Sequence, residues 1–189
     1  MPAPDPVQEH ALAESIRGIE QSAANEGWDG PVRVFALVET VPTAQADPQF
    51  AAQLLEPDLS ALPPAHLTPV EQQGLPEADT LEELLARLAW PEAVAGAACV
   101  VERLVLASDD GATLAPTDAL SSPQRRDLRI AAGVLRSGAS WCVLRLRSND
   151  DPAMRLQGAD VVPGLVEQLR STLAPLPPGP QVPASPTQG

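Results

Sequence analysis

The sequence contains no lysine and no tyrosine, and aromatic residues make up only 3% of its 189 residues. Its 25 acidic residues outnumber 12 arginines, which gives a formal net charge of −13. A protein that binds nucleic acid generally needs clustered cations to replace the counterions around the phosphates. The charge therefore argues against nucleic acid as a partner, and the scarcity of aromatic residues predicts an aliphatic core.

Cysteine is also scarce. Cys99 and Cys142 are too few for a disulfide framework, and neither belongs to a CxxC pair. The first residues lack the basic and apolar regions of a secretory signal, and no apolar run approaches the roughly 18 residues of a membrane-spanning helix. We therefore expect a cytoplasmic protein with reduced thiols and no insertion into a membrane.

Motifs for catalysis and cofactor binding are missing as well. There is no phosphate loop, dinucleotide fingerprint, HExxH or GxSxG motif. His10 and His66 lie far apart in the sequence, so we predict no metal and no cofactor, and we expect that the protein is not an enzyme. The alternative is a small enzyme or redox-sensitive protein that uses Cys99 or Cys142. Each thiol lies in an aliphatic strand pattern, where thiols are usually buried and inert.

Residues 127–148 predict a β-hairpin. A small polar residue followed by glycine, Ser137-Gly138, suits the two positive-φ positions of a tight two-residue turn. In that register Val134 lies opposite Trp141, and both faces of the hairpin are apolar near the turn. A hairpin of this kind belongs inside a sheet that is covered on at least one side.

The remaining elements follow from apolar spacing. Helices are predicted from residue 5 to about residue 26, from residue 47, over residues 80–90 and over about residues 160–173, with strands over residues 32–38 and 97–106. In the first helix, Gly18 lies near the apolar stripe and predicts close packing against another backbone, while Glu20 is placed on the polar side. The stripe consists of Leu12, Ile16, Ile19 and Ala23.

The order of these elements predicts the α+β class, with an about four-stranded, mainly antiparallel sheet packed against N-terminal, middle and C-terminal helices. The last three strands have no crossover helices between them, which argues against a parallel sheet. We predict a single domain over residues 1–173. Residues 43–79 form a proline-rich excursion that cannot sustain a long helix or a central strand, and residues 174–189 form a disordered tail.

Three stretches carry a resemblance. They are GWDGPVRVFALV (27–38), LEELLARLAWPEAVAGAACVVERLVL (81–106) and RIAAGVLRSGASWCVLRLR (129–147). Together with the helical stretch QGADVVPGLVEQLRSTL, they resemble a family of small uncharacterised actinobacterial proteins. The resemblance covers most of the ordered chain but neither the excursion nor the tail. It implies no particular activity, and no catalytic residues can be transferred from it.

Two classes of function remain, and the first is a non-catalytic interaction module, similar to an adaptor or chaperone, that binds a protein or peptide partner. Its candidate partner-binding residues are Trp141, Val143, Arg145 and Arg147, which alternation places on one side of a strand. Tryptophan and arginine are enriched where partners bind. In the alternative interpretation, Trp141 lies under the first or last helix and the arginines frame it. We expect a monomer or a weak homodimer. The second class is the cysteine-based enzyme or redox protein.

Charge is segregated along the sequence. One group of acidic residues precedes the later strands, and one group of arginines lies on the hairpin. The two groups either steer a partner or face each other within the fold, and the sequence leaves both interpretations open. The acidic group is Glu71, Glu77, Asp79, Glu82, Glu83 and Glu92, and the basic group is Arg125, Arg126, Arg129, Arg136, Arg145 and Arg147.

Overall fold

The structure is a computed structural model that describes residues 5–54, 58–106, 125–148, 155–159 and 161–174. The predicted tail beyond Ala174 and the loop between the third and fourth strands, residues 107–124, lie outside the described residues. The elements, in chain order, are α1 (Pro6–Glu26), β1 (Arg33–Glu39), α2 (Thr40–Ala46), α3 (Pro48–Gln53), a 3-10 turn (Leu59–Ala61), β2 (Leu67–Glu71), α4 (Leu81–Ala86), β3 (Gly96–Leu106), β4 (Arg125–Leu135), β5 (Ser140–Leu146), β6 (Leu156–Gly158) and α5 (Pro163–Thr172).

The sheet has six strands in the order β2-β1-β3-β4-β5-β6, and every neighbouring pair is antiparallel. The α+β class and the antiparallel sheet are therefore confirmed, whereas the predicted number of strands, about four, was too low. The two strands that the sequence did not predict are the edge strands. β6 has three residues, and β2 contains Pro69 and lies inside the proline-rich excursion. Neither has the long apolar pattern that marks a strand in a sequence.

Helices cover both faces of the sheet. The predicted stripe of α1 is buried against one face, where it packs on residues of β1, β3, β4 and β5 such as Leu37, Ala131 and Val143. Helices α4 and α5 pack together on the other face and cover Cys99 and Val134. Helix α4 is shorter than predicted and ends at Ala86, and α2 was not predicted.

The β4–β5 turn differs from the predicted one. The Gly138 amide donates to the Leu135 carbonyl oxygen at 2.9 Å, and the Leu135 amide donates to the Ala139 carbonyl oxygen at 2.9 Å. Only Gly138 has a positive φ in this turn, +99°, so the connection is a three-residue turn with one left-handed glycine. The register shifts by one residue, and Trp141 lies opposite Gly133 rather than Val134.

Two glycines, Gly133 of β4 and Gly18 of α1, have opposite surroundings. A Cβ atom on Gly133 would overlap the end of the buried Ile16 side chain of α1, so a larger residue there requires Ile16 to shift. A Cβ atom on Gly18 would meet nothing within 4 Å. The prediction that Gly18 marks close backbone packing is therefore wrong. Gly133 instead makes room for the Ile16 side chain of α1.

We expect alanine to have opposite effects at these two positions. Gly133→Ala overpacks the core and should lower the free energy of unfolding by about 1–3 kcal/mol. Gly18→Ala removes an exposed helical glycine and should raise it by about 0.5–1 kcal/mol. Urea unfolding of both variants measures the difference. Equal effects would show that Ile16 moves aside without cost.

Candidate functional site

The four candidate partner-binding residues share the α1 face of the sheet, but two of them are interior. Val143 is fully buried beneath α1, and Arg145 is 4% exposed. Trp141 is half-buried, and the Arg17 guanidinium lies 5.5 Å from its ring centroid. Arg147 is exposed at the rim. Val143 and Arg145 cannot reach a partner while α1 is in place, so Trp141 and Arg147 are the two members of the set that offer surface.

Arg145 is held by a carboxylate of α1. Its Nε and Nη2 atoms donate to Glu20 Oε1 and Oε2 at 2.5 and 2.9 Å, and Arg155 Nη1 lies 3.4 Å from Glu20 Oε2. Glu20 is fully buried, so its predicted place on the polar side of the helix was wrong. Its position four residues after Ile16 follows the apolar stripe; the charged residue type obscured that spacing.

A second group of charges closes the end of the sheet near the α1–β1 connection. Arg129 is 1% exposed, donates through Nε and Nη2 to Glu102 Oε1 at 3.1 and 2.7 Å, and also donates to the Gly27 carbonyl oxygen. Its guanidinium carbon lies 4.3 Å from the ring centroid of Trp28. This cation–π contact and the ion pair fix the connection against the sheet.

Arg147 pairs with Asp29 in this second group. Both guanidinium Nη atoms donate to the Asp29 carboxylate at 2.7 Å. The hydrogen bond from Arg147 lowers the pKa of Asp29, and the same bond raises the pKa of Arg147.

The hairpin arginines therefore form ion pairs with carboxylates that do not belong to the predicted acidic group. In the described part of the chain, Arg129, Arg145 and Arg147 pair with Glu102, Glu20 and Asp29. Within the acidic group, Glu71 instead pairs with Arg33, which lowers the pKa of Glu71, and Glu82 pairs with Arg103.

The two cysteines lie in the core of the opposite face, beneath α4 and α5. Both are fully buried, and burial, together with the neighbouring Cys142, raises the pKa of the Cys99 thiol to about 12. Each is paired with Ala132 of β4, one from either side. They are thus two strands apart, about 10 Å, which exceeds the roughly 7 Å limit for Cα atoms joined by a disulfide.

A cleft between α1 and the excursion was not predicted by the sequence. It has a volume of about 510 Å³, and its lining is mostly apolar. One wall is a stripe of α1, and the other consists of residues 53–54, 63 and 65–69. The lining residues are Val7, His10, Ala11, Glu14, Ser15, Gly18, Gln53, Leu54, Pro63, Ala65, His66, Leu67, Thr68 and Pro69.

Six of the fourteen lining residues have polar side chains, although they contribute little of the cleft's accessible surface. The Ser15 hydroxyl is buried and has no hydrogen-bond partner among the described residues. His66 contacts Thr40 Oγ1 through Nδ1 at 2.8 Å, and Thr40 Oγ1 also contacts Thr68 Oγ1 at 2.7 Å. The side chain of Val7 at the rim is 57% exposed. Both histidines of the chain thus line one cleft, although they are 56 residues apart in the sequence.

A larger cavity of about 650 Å³ adjoins the cleft, and the two share Ala65 and Leu67 in their walls. Glu39, Asp47 and Glu92 give this second cavity an acidic lining. We call the first space the apolar cleft and the second the acidic cavity.

Within the described ranges, no three histidine, cysteine, aspartate or glutamate side chains converge as metal ligands would. None of the described helices combines the length and apolar character required to cross a bilayer.

A comparison with protein families gives one match, to the family described as PPA1309-like protein, over residues 12–174. The match includes every strand and all of the helices except the first turns of α1. The chain belongs to the PPA1309-like family. The resemblance to an uncharacterised family is thereby confirmed, while the actinobacterial origin stays a prediction. No curated protein and no solved structure matches the chain.

Proposed function

We propose that this PPA1309-like protein is a non-catalytic interaction module that holds a segment of another polypeptide in the apolar cleft. The observation that carries the proposal is the cleft itself, an apolar space of about 510 Å³ that lies between α1 and the excursion. Ligand sites typically have volumes of about 300–1,000 Å³, apolar walls and a few polar groups. The apolar cleft has these properties.

The surface around the cleft supports a polypeptide as the occupant. Val7 exposes an apolar side chain at the rim. Gly18 leaves room for an incoming side chain next to the helix backbone. Together these residues form a stripe along one side of α1.

The cysteine alternative is weaker on chemical grounds. A nucleophilic or redox-active cysteine needs an accessible thiolate and therefore a low pKa. Cys99 is fully buried and its pKa is raised to about 12. The properties of Cys99 are thus the reverse of those that catalysis requires.

Selection from a random peptide display library with the folded full chain tests the proposal. We expect enriched peptides whose affinity falls on the order of tenfold or more in Gly18→Phe, because the new ring occupies the cleft. Val7→Glu should also weaken binding, and its glutamate suits the first turn of α1.

Gly164→Phe is the matched control, because Gly164 is also an exposed helical glycine with open space around its Cβ position, and it lies in α5 on the opposite face of the sheet. Circular dichroism would establish that each variant is folded. If no enriched peptide loses affinity in both cleft variants, the proposed function is wrong.

A further inference from the structure

We propose that the occupant of the apolar cleft is an amphipathic helix whose flank carries lysine or arginine. This inference rests on the proposed function. It assigns the apolar face of the partner helix to the apolar cleft and its basic flank to the acidic cavity. The two spaces adjoin at Ala65 and Leu67, so one short segment can reach both.

The charge of the acidic cavity is not balanced within the fold. Glu39 and Glu92 are exposed and have no cationic partner among the described residues. The Asp47 carboxylate accepts from the backbone amides of Gln49 and Phe50, which leaves its negative charge facing no basic side chain in that part of the chain. A basic group that enters the cavity therefore meets three carboxylates and one guanidinium, that of Arg136.

The one basic residue in the lining of the acidic cavity, Arg136, already has structural partners. Its Nε donates to the Val94 carbonyl oxygen at 2.8 Å, and its Nη2 atom donates to the carbonyl oxygens of Trp90 and Pro91 at 3.1 Å. The remaining Nη1 atom donates to the Leu173 carbonyl oxygen. Arg136 thus fixes the hairpin turn to the opposite helices and is poorly placed to bind an acidic ligand.

The geometry of the neighbouring edge strand argues against an extended occupant. The Thr40 amide donates to the His66 carbonyl oxygen, and the Gln72 amide donates to the Val34 carbonyl oxygen. Hydrogen-bonded pairs alternate along an antiparallel ladder, so the backbone groups of residues 68 and 70 also bond to β1. The backbone groups of residues 67, 69 and 71 point away from the sheet. The central outward position is Pro69, which has no amide hydrogen. A partner strand that paired with β2 would therefore lack the hydrogen bond at the centre of the new ladder. Docking through side chains, as in helix-in-groove recognition, avoids this problem.

The test uses the peptide most enriched in the display selection, labelled with fluorescein, and measures its affinity by fluorescence anisotropy. We expect a lysine or arginine beside the apolar residues of that peptide and helical circular dichroism in the complex. Replacing both Glu39 and Glu92 with glutamine should weaken binding roughly 3- to 10-fold, the effect of two exposed charge pairs. Replacing the basic residue of the peptide with glutamine should have a similar effect.

The matched control is the double change Glu77→Gln and Asp79→Asn, which removes the same charge from residues that line neither space. Unchanged affinity in the control supports a direct contact between the basic residue of the peptide and the carboxylates of the acidic cavity. A loss of affinity as large as that of Glu39→Gln with Glu92→Gln would show that the net charge of the protein alone attracts the peptide. If Glu39→Gln with Glu92→Gln has no effect while Gly18→Phe still abolishes binding, the basic helix is wrong and the docking function stands. Binding that survives Gly18→Phe contradicts both proposals.

Discussion

Replacing Glu20 with glutamine is expected to lower the free energy of unfolding by about 3–5 kcal/mol. Glu20 is fully buried and forms two hydrogen bonds with Arg145, which is 4% exposed, across the contact between α1 and β5. Breaking a buried pair leaves an uncompensated charge away from water, and this cost exceeds the net contribution of the intact pair. Urea unfolding at neutral pH measures the change.

Two further variants make the Glu20 prediction specific. Glu14→Gln removes an exposed carboxylate that pairs with Arg17 on the same helix, and it should change stability by less than about 0.5 kcal/mol. Adding Arg145→Met to Glu20→Gln should recover part of the loss, because it removes the more deeply buried of the two arginines that Glu20 contacts, while Arg155 stays in place. A Glu20→Gln variant as stable as the wild type would contradict the buried ion pair.

Alkaline pH is expected to weaken the fold through Cys99. Burial raises the pKa of this thiol from 9.0 to about 12. Between these values the folded chain keeps a proton that the unfolded chain releases, so the free energy of unfolding falls as pH rises. A difference of about three pH units corresponds to about 4 kcal/mol at most. The chain has no lysine and no tyrosine, so few other side chains titrate in this range.

Urea unfolding of the wild type and Cys99→Ala at pH 8 and pH 11 measures this effect. The wild type should lose about 2–3 kcal/mol between the two conditions, and the variant should lose clearly less. Cys99→Ala also removes core contacts, so the comparison uses the pH dependence of each protein rather than its absolute stability. The same pH dependence in both proteins would show that Cys99 does not control alkaline unfolding.

Local sequence patterns predicted much of the fold. The apolar stripe of α1 and the capping of α4 by Thr80 depend on spacings of three and four residues, which can be read directly from the sequence. The hairpin was located correctly, but its register was not, since a three-residue turn and a two-residue turn differ by one position. A difference of one residue gives every residue of the hairpin a different partner on the neighbouring strand and changes which side chains share a face.

Long-range contacts account for what the sequence could not provide. Glu20 and Arg145 are 125 residues apart, and the residues around either one do not indicate which residue it pairs with. The apolar cleft is likewise formed by α1 and a segment about 50 residues later. One signal was present in α1, where Ala11, Ser15 and Gly18 repeat small residues at helical spacing. That signal indicates a face without bulky side chains, but it does not distinguish an open cleft from a close helix contact.

Backbone amide NMR of the isotope-labelled full chain shows whether a partner segment occupies the apolar cleft. On titration with the most enriched peptide, we predict chemical-shift changes concentrated at Ala11, Ser15, Gly18 and Thr68, with little change in α5 on the opposite face of the sheet. Changes concentrated in α5 or around Trp28 and Arg147, with none along the cleft stripe of α1, would contradict the account.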